Sequence, residues 1–252
     1  MQQFFKFILI LIWCMPVCLL QAQSTKKPVR KLPVRTTKIS PVVVKESVVD
    51  TAKVTDPVRI KISTSLGEII VRLSDKTPRH RDNFVKLVNA HFYDSLLFHR
   101  IISGFMIQGG DPNSKNAAPG IMLGNGDVGY KIPAEFDSTL YHKKGALAAA
   151  RDNNPQKASS GCQFYIVHGK KFSNSELDMI EAEEGIYFSP SKRMTYSMNG
   201  GTPKLDMNYT VFGEVETGME IVDEIALSQT DNNSRPLTNI SMKMEVIKGE
   251  GK

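Results

Sequence analysis

Residues 98–111 read FHRIISGFMIQGGD, a run of short apolar segments broken by glycine. Because alternate residues of a β-strand share a face, Phe98 is predicted to lie beside Arg100. Met106 and Gln108 share another face for the same reason. Apolar groups beside a cation and an amide make an amphipathic surface that can grip an apolar ring and bond to carbonyl groups. The plainer interpretation is a barrel strand with exposed Arg100 and Gln108, and the residues alone favour it.

Short strands with few helices surround this stretch. Residues 58–63 and 68–73 alternate apolar and polar side chains on either side of a turn, which predicts a β-hairpin. Thr77-Pro78 then begins a helix, whose apolar face carries Phe84, Leu87, Val88 and His91. Further strands are predicted at 101–107, 145–150, 163–167, 209–215 and 242–247, and further helices at 175–184 and 218–226. Many short strands with few helices favour a closed β-barrel.

The common catalytic constellations are missing from the sequence. It contains no Gly-x-Ser-x-Gly elbow, no Walker-type phosphate loop and no His-Glu-x-x-His motif. The five histidines show no metal-ligand spacing, so we expect neither a metal nor an organic cofactor. Nucleophilic chemistry at Cys162 is disfavoured, because no basic residue nearby would lower the pKa of its thiol. We expect Cys162 to be a small buried side chain.

Three blocks of the sequence, in order, resemble the cyclophilin family of peptidyl-prolyl cis-trans isomerases. Residues 98–111 are similar to the family signature Phe-His-Arg-x-Ile-x-Gly-Phe-x-x-Gln-Gly-Gly-Asp. Residues 145–150 and 161–166 resemble its Gly-x-Leu-x-Met-Ala and Gly-Ser-Gln-Phe-Phe-Ile blocks, and residues 205–215 resemble its Leu-Asp and Val-Phe-Gly-x-Val blocks. The resemblance implies a mainly β fold: a closed eight-stranded antiparallel β-barrel capped by two α-helices, with a substrate groove on its outer surface.

The resemblance also implies a role for each residue of the groove. Arg100 is carried over as the catalytic arginine, with Phe105 and Gln108 beside it. The other positions are predicted to bind the substrate, and they are Met106, Ala150, Arg151, Gln163, Tyr165, Leu205 and Tyr209. A proline pocket is expected between Phe105, Met106, Tyr165 and Leu205. The expected partners are proline-containing polypeptides.

Several positions depart from the family pattern. Arg151 stands where the family often has Asn, and Tyr165 where Phe is usual. Tyr209 stands where many members have His. Lys204 occupies the place of a Trp that is found in members sensitive to cyclosporin. Residues 173–202 are an enlarged insertion that could cover part of the groove, so they bear on the range of substrates.

Residues 1–22 are predicted to be a secretory signal peptide. Lys6 supplies the positive charge, residues 7–20 are almost unbroken apolar sequence, and Ala22 offers a small residue for cleavage. A membrane anchor is disfavoured, because the run is shorter than the roughly 20 residues of a spanning helix. Lipid attachment at Cys18 is disfavoured as well, because the residues before it are not small. We expect export to the periplasm or cell envelope of a bacterium.

Residues 23–57 are predicted to be a disordered basic linker. Residues 1–57 hold nine Lys or Arg against three Asp or Glu, which leaves 23 of each sign in residues 58–252. A domain without net positive charge argues against nucleic-acid binding. The linker is expected to be a spacer, and weak contact with an anionic envelope or membrane surface is the alternative.

Residues 58–252 are therefore predicted to be a cyclophilin-like isomerase domain, acting as a monomer in the folding of exported proteins. An arginine N–H aimed at the prolyl nitrogen or the adjacent carbonyl stabilises the twisted X-Pro bond more than the planar one. One alternative is a proline-peptide binding module or holdase with little turnover. Another is a structural envelope protein that is tethered by the basic linker.

Overall fold

A computed structural model of the protein describes residues 57–247. The predicted signal peptide and residues 23–56 of the predicted linker lie outside the described residues. The described chain contains the strands β1 (Arg59–Thr64), β2 (Gly67–Leu73), β3 (Arg100–Ile102), β4 (Met106–Gly109), β5 (Lys131–Ile132), β6 (Ala146–Ala149), β7 (Ser159–Ser160), β8 (Phe164–Val167), β9 (Val211–Thr217) and β10 (Met242–Ile247). Its α-helices are α1 (Pro78–Asn89), α2 (Asn174–Glu184), α3 (Pro190–Met198) and α4 (Met219–Ala226), and short 3-10 turns lie at Pro112–Ser114 and Pro203–Leu205.

Within the described part of the chain, eight strands form one antiparallel sheet in the order β10-β1-β2-β9-β6-β8-β4-β3. The predicted β1–β2 hairpin is present, with Ile60 opposite Val71 and Ile62 opposite Ile69. All four of these side chains are fully buried. Their alternation with polar neighbours is therefore what fixes this hairpin's register, because a shift by one residue would expose them.

The prediction of a closed barrel is wrong, because the edge strands β3 and β10 do not pair with each other. The sheet is curled and open, and one isolated bridge, Leu97 to Ser241, joins the segments that precede these two edges. The loop before β10 lies against the β3 edge instead, where the Ile101 N–H donates to the Ser234 carbonyl at 2.8 Å. A loop thus covers the exposed edge and takes the place of a closing strand pair.

Two helices pack on the sheet, while the insertion contributes two more. Helix α1 contacts β9 and β10, and α4 contacts β2, β3 and β4. The first turn of α1 is capped by Glu135, whose carboxylate accepts the N–H groups of Arg79 and His80. The side chain of Thr77, at the N-cap position, accepts no backbone N–H of this turn. His91 was predicted on the apolar face, but α1 ends at Asn89 and His91 is exposed.

The predicted strand 101–107 is two strands joined by a tight turn. Gly104 has a φ of 73°, which an L residue rarely adopts, and the Phe105 N–H donates to the Ile102 carbonyl at 3.0 Å. The turn folds β4 back on β3, so Arg100 lies directly opposite Gln108. Phe98 precedes β3 and lies in the main core, so its predicted shared face with Arg100 is wrong.

The sheet carries apolar side chains on both faces. On one face, residues such as Ile107, Leu147 and Ile166 join side chains of α1 and α4 in the main core. On the other face, their neighbours Met106 and Tyr165 belong to a second, smaller cluster that borders the candidate site. Strands whose successive side chains point to opposite faces therefore support the core and the site at once.

The insertion, residues 173–202, forms the helix pair α2 and α3. Ser173 and Glu176 form a reciprocal capping box at the start of α2, and Gly185 ends it with a φ of 65°. The sequence predicted this helix at 175–184, one residue later than it begins, and it did not predict α3. The two helices enclose a small apolar cluster formed by Leu177, Ile180, Phe188 and Tyr196. In residues 57–247, none of the helices has the length and apolar character needed to cross a membrane.

Candidate active site

The β3–β4 hairpin places the candidate catalytic arginine against a glutamine. The Arg100 Nη1 atom donates to Oε1 of Gln108 at 3.2 Å, and both side chains are partly buried. This pairing follows from the strand register, because the two residues face each other across the ladder. The hydrogen bond uses one of the five guanidinium N–H groups and leaves others to point at a substrate.

A second glutamine fixes the orientation of the first. Gln163 Nε2 donates to two backbone carbonyls, those of Gly124 at 3.0 Å and Gly126 at 2.8 Å. Its Oε1 atom therefore faces Gln108 and accepts from Nε2 of that residue at 3.1 Å. Gln108 must in turn direct its own Oε1 towards Arg100. The guanidinium is thus held at the end of a chain of amide groups that begins at the backbone.

An apolar pocket of about 170 Å³ opens beside Arg100. Met106 and Tyr165 are buried at its base, whereas Phe105, Leu205 and Tyr209 are partly exposed. The lining residues are Arg100, Phe105, Met106, Gln108, Ala150, Arg151, Tyr165, Leu205 and Tyr209. Nine of the ten residues predicted from the sequence thus line one pocket, and the tenth, Gln163, is bonded to Gln108 behind it. We call this cavity the proline pocket, after the role that the sequence led us to expect.

Arg151, which stands in the family's Asn position, forms one side of the pocket together with Tyr209. Its guanidinium carbon lies 4.5 Å from the centre of the Tyr209 ring. Its Nε atom donates to the Asn208 carbonyl at 2.9 Å. Cation–π contact and a backbone hydrogen bond together hold this arginine against the wall. The two departures from the family pattern at positions 151 and 209 are therefore in direct contact with each other.

A buried polar network lies behind the pocket, and sequence reasoning did not find it. The Asp206 carboxylate can only accept, so Nδ1 of His142 donates to its Oδ1 atom at 2.9 Å. In the neutral ring, Nε2 of His142 then accepts from the Tyr165 hydroxyl at 2.9 Å. The Tyr196 hydroxyl donates to Oδ2 of Asp206 at 2.8 Å. Burial raises the pKa of Tyr165 well above 10, so this hydroxyl keeps the proton that it can donate. We call these four residues the Tyr–His–Asp–Tyr network.

One sequence signal could have led to this network. A buried tyrosine needs a hydrogen-bond partner for its hydroxyl, and Tyr165 replaces the usual phenylalanine. The extra oxygen thus implied an unidentified partner near the pocket. Its position in the sequence could not be inferred, because residues 142, 196 and 206 meet only in the folded chain.

The remaining reactive side chains near the signature lie outside the pocket. His99 is buried, and burial lowers its pKa to about 4, so it carries no charge near neutral pH. Cys162 belongs to the main core, and burial raises the pKa of its thiol to about 11. Both are therefore unsuited to acid–base or nucleophilic work at neutral pH. Across residues 57–247, no group of three or more His, Cys, Asp or Glu side chains is arranged to hold a metal ion.

The open β-sheet carries an arginine beside a pocket with an apolar base, and among the described residues no His, Cys, Ser, Lys, Asp or Glu side chain lines this pocket. Such a site is suited to binding and twisting a peptide. The family model for the cyclophilin-type peptidyl-prolyl cis-trans isomerases matches residues 59–246, so the chain belongs to that family. Its enzyme class is accordingly peptidyl-prolyl cis-trans isomerase.

Curated relatives agree with this family. The chain is 30% identical over 184 residues to a Staphylococcus haemolyticus protein described as a peptidyl-prolyl cis-trans isomerase, and the match covers 73% of this chain and 87% of that protein. It is 35% identical over 185 residues to a Streptococcus pyogenes protein described as a bifunctional phosphatase/peptidyl-prolyl cis-trans isomerase. That match covers 72% of this chain but only 37% of the relative's length.

A solved structure has a similar fold. A cyclophilin-type peptidyl-prolyl cis-trans isomerase of Cryptosporidium parvum matches with a TM-score of 0.56 at 21% identity. The match covers 77% of this chain and 99% of that one. A second crystal structure of the Cryptosporidium protein was determined in the presence of the dipeptide Ala-Pro.

Proposed function

We propose that this protein binds X-Pro segments of polypeptides in the proline pocket and accelerates their cis-trans rotation through Arg100. The observation that carries the proposal is the placement of the arginine. It lies at the rim of an apolar pocket, and a chain of amide hydrogen bonds holds it there. The volume of about 170 Å³ suits a single small ring, since sites for drug-sized ligands are roughly 300–1,000 Å³.

The reaction needs a lower barrier to rotation and no covalent step. The barrier is about 18–20 kcal/mol because resonance gives the C–N bond partial double-bond character. In the twisted state the prolyl nitrogen regains its lone pair, and an N–H of Arg100 can donate to it. This contact is stronger in the twisted state than in either planar state, which is the condition for catalysis. The buried base of the pocket, Met106 and Tyr165, excludes water from the proline ring.

The other groove residues are proposed to hold the peptide backbone. Gln108 and Arg151 offer polar groups on either side of the pocket, and Ala150 contributes its wall. Gln163 acts through Gln108, so it is a positioning residue. Phe105 and Leu205 are proposed to close over the ring from the partly exposed rim. None of these roles requires a cofactor.

Substitution of Arg100 tests the mechanism. We expect Arg100→Ala to lower kcat/KM on a short uncharged Xaa-Pro peptide by roughly 10²–10³-fold, as for the loss of one preorganised donor. Arg100→Lys should recover only part of this loss, because a lysine lacks the planar fork of donors. Exchange rates measured by NMR without a coupled protease give the result directly. Arg79→Ala, which removes an exposed arginine of α1, is the matched control.

Two outcomes would count against the mechanism. Arg100→Ala with more than half of the original activity would show that another group stabilises the twisted state. Tight peptide binding by the unaltered protein without measurable turnover would favour the alternative, a proline-peptide binding module or holdase. Binding by calorimetry and turnover by NMR on the same peptide distinguish the two.

We further propose that the protein assists the folding of exported proteins in a bacterial envelope, as a monomer. The support is the leader-like pattern of residues 1–22 and the basic composition of residues 23–57. The basic segment is proposed to act as a spacer, with weak contact to an anionic surface as the alternative. Mass spectrometry of the exported protein should find an N-terminus at Gln23, and a retained leader would contradict this part of the proposal.

A further inference from the structure

A second pocket lies against helix α2, on the other side of two residues that line the proline pocket. We call it the α2 pocket, and it encloses about 370 Å³. Phe105 and Leu205 line both cavities, so these two side chains form a wall that the cavities share. The remaining apolar lining consists of Phe172, Met179, Ile180 and Pro203. Much of this wall comes from the insertion.

We infer that the α2 pocket is an additional substrate subsite, which binds a large uncharged apolar side chain of the same polypeptide whose proline lies in the proline pocket. This inference rests on the proposed function, because it needs a proline to be bound in the adjacent proline pocket. The shared walls then require the peptide to pass the mouth of the α2 pocket. The Phe105 and Leu205 side chains separate the two cavities, and an extended peptide spans roughly 3.3–3.6 Å per residue, so the side chain concerned lies within about three residues of the proline.

The size of the cavity favours a large side chain. Its volume of about 370 Å³ is more than twice the 170 Å³ of the proline pocket. Met179 is 61% exposed on its rim and offers a flexible apolar surface that a substrate side chain would cover. Ile180 is almost fully buried and anchors α2 to the small core of the insertion. The α2 pocket thus has a buried base at Ile180 and a flexible side chain, Met179, at its edge.

The charges at the rim favour an uncharged side chain. Lys170 pairs with Glu176 at 3.2 Å, and Lys204 pairs with Glu183 at 2.7 Å. Each positive group thus faces a carboxylate of α2, and the four charges sum to zero. A charged substrate side chain would have to compete with one of these pairs, whereas an apolar one would leave both intact. Aromatic side chains bury the most apolar area and are the best candidates.

The test compares two kinds of peptide. One is a short uncharged Xaa-Pro peptide, and the others carry a phenylalanine two or three residues before or after the proline. We expect at least one phenylalanine position to raise kcat/KM about tenfold over the short peptide, a typical value for filling an apolar subsite. Met179→Glu should reduce this preference to less than threefold, because it places a carboxylate in the pocket.

Met194→Glu is the matched control, since Met194 is 64% exposed on α3 and does not line the pocket. It should keep the full preference. NMR of 13C-methyl methionine in the unaltered protein gives a second readout that needs no variant. The Met179 methyl signal should shift with the phenylalanine peptide and much less with the short one, while the Met194 and Met198 signals stay in place.

The inference is overturned if no phenylalanine position improves turnover, or if Met179→Glu keeps the preference while its circular dichroism spectrum is native. A Met179 signal that responds equally to both peptides would also overturn it. Failure of the proposed function looks different, because the unaltered protein would then fail to turn over the short peptide as well.

Discussion

Removing a single hydroxyl group from the insertion should destabilise the whole domain. The Tyr196 hydroxyl donates to the buried Asp206 carboxylate at 2.8 Å, and the Tyr196 side chain is fully buried. In Tyr196→Phe, Oδ2 of Asp206 would keep only Lys192, whose Nζ atom is 3.9 Å away. A hydrogen bond to a charged group contributes about 1.5–3 kcal/mol, so we expect the free energy of unfolding to fall by about 2 kcal/mol.

This change is large enough to measure by two methods. Urea unfolding at neutral pH gives the free energy, and calorimetry should show a Tm lower by about 4–8 °C for a domain of this size. Tyr187→Phe removes the same hydroxyl from a side chain that is 78% exposed, and it should change the free energy of unfolding by less than 0.5 kcal/mol, roughly the limit for surface changes.

A double-mutant cycle then tests whether the network connects the insertion to the proline pocket. Tyr165→Phe removes the hydroxyl that donates to His142. Because Tyr165 and Tyr196 both act through the His142–Asp206 pair, their effects should differ from additivity by at least about 0.5 kcal/mol. Tyr165→Phe combined with Tyr187→Phe should be additive. Strict additivity in both cycles, or an effect of Tyr196→Phe no larger than that of Tyr187→Phe, would refute the reasoning.

Two further predictions concern pH and a drug ligand. Burial lowers the pKa of His99 from 6.5 to about 4, so on acidification the unfolded chain takes up this proton first. The contribution of His99 to stability should therefore be constant above about pH 6.5 and fall by up to about 3 kcal/mol as pH drops towards 4. Urea titrations at pH 7 and pH 5 should show a smaller loss in His99→Leu, and equal losses would contradict the assignment. Lys204 replaces an aromatic contact surface, so cyclosporin should inhibit weakly, and Lys204→Trp should strengthen inhibition through added apolar contact. Inhibitor titration of both proteins decides this, and tight inhibition of the unaltered protein would be the contrary result.

The grouping of the candidate-site residues was more predictable from the sequence than the shape of the sheet. Met106 and Gln108 share a face because a strand has a period of two, and the structure places both in the proline pocket. The face predicted for Phe98 and Arg100 was wrong, because Phe98 lies before β3 begins. Periodicity holds only inside a regular element, and it does not reveal where the element starts.

The open sheet and the turn at Gly104 depend on interactions that a local pattern does not contain. The β3 edge is covered by the loop before β10, which lies more than a hundred residues later in the chain. The Ile101 N–H of β3 donates to the Ser234 carbonyl of this loop. The turn at Gly104 is short and has apolar residues on both sides, so residues 101–107 look like one continuous strand in the sequence. Helix α3 was missed although Ser189 caps it and Pro190 opens it, which are start signals that the sequence contains. Its nine residues are too few to show a clear apolar period, and its buried Tyr196 packs against distant groups.

Two departures from the family pattern, Tyr165 in place of phenylalanine and the enlarged insertion, are linked in the structure. A buried tyrosine at the base of the pocket requires a partner for its hydroxyl, and His142 supplies it. His142 in turn is fixed by Asp206, which accepts both its ring and its backbone N–H groups. The insertion completes the arrangement, because Tyr196 of α3 satisfies the second oxygen of that carboxylate. Replacing Tyr165 alone with phenylalanine would therefore leave Nε2 of the buried His142 without its hydrogen-bond donor. Removing the insertion alone would leave the Asp206 carboxylate without the donor that Tyr196 supplies. The pocket base and the insertion are thus stabilised as one unit, and α2, which forms the wall of the neighbouring cavity, is packed on that same unit.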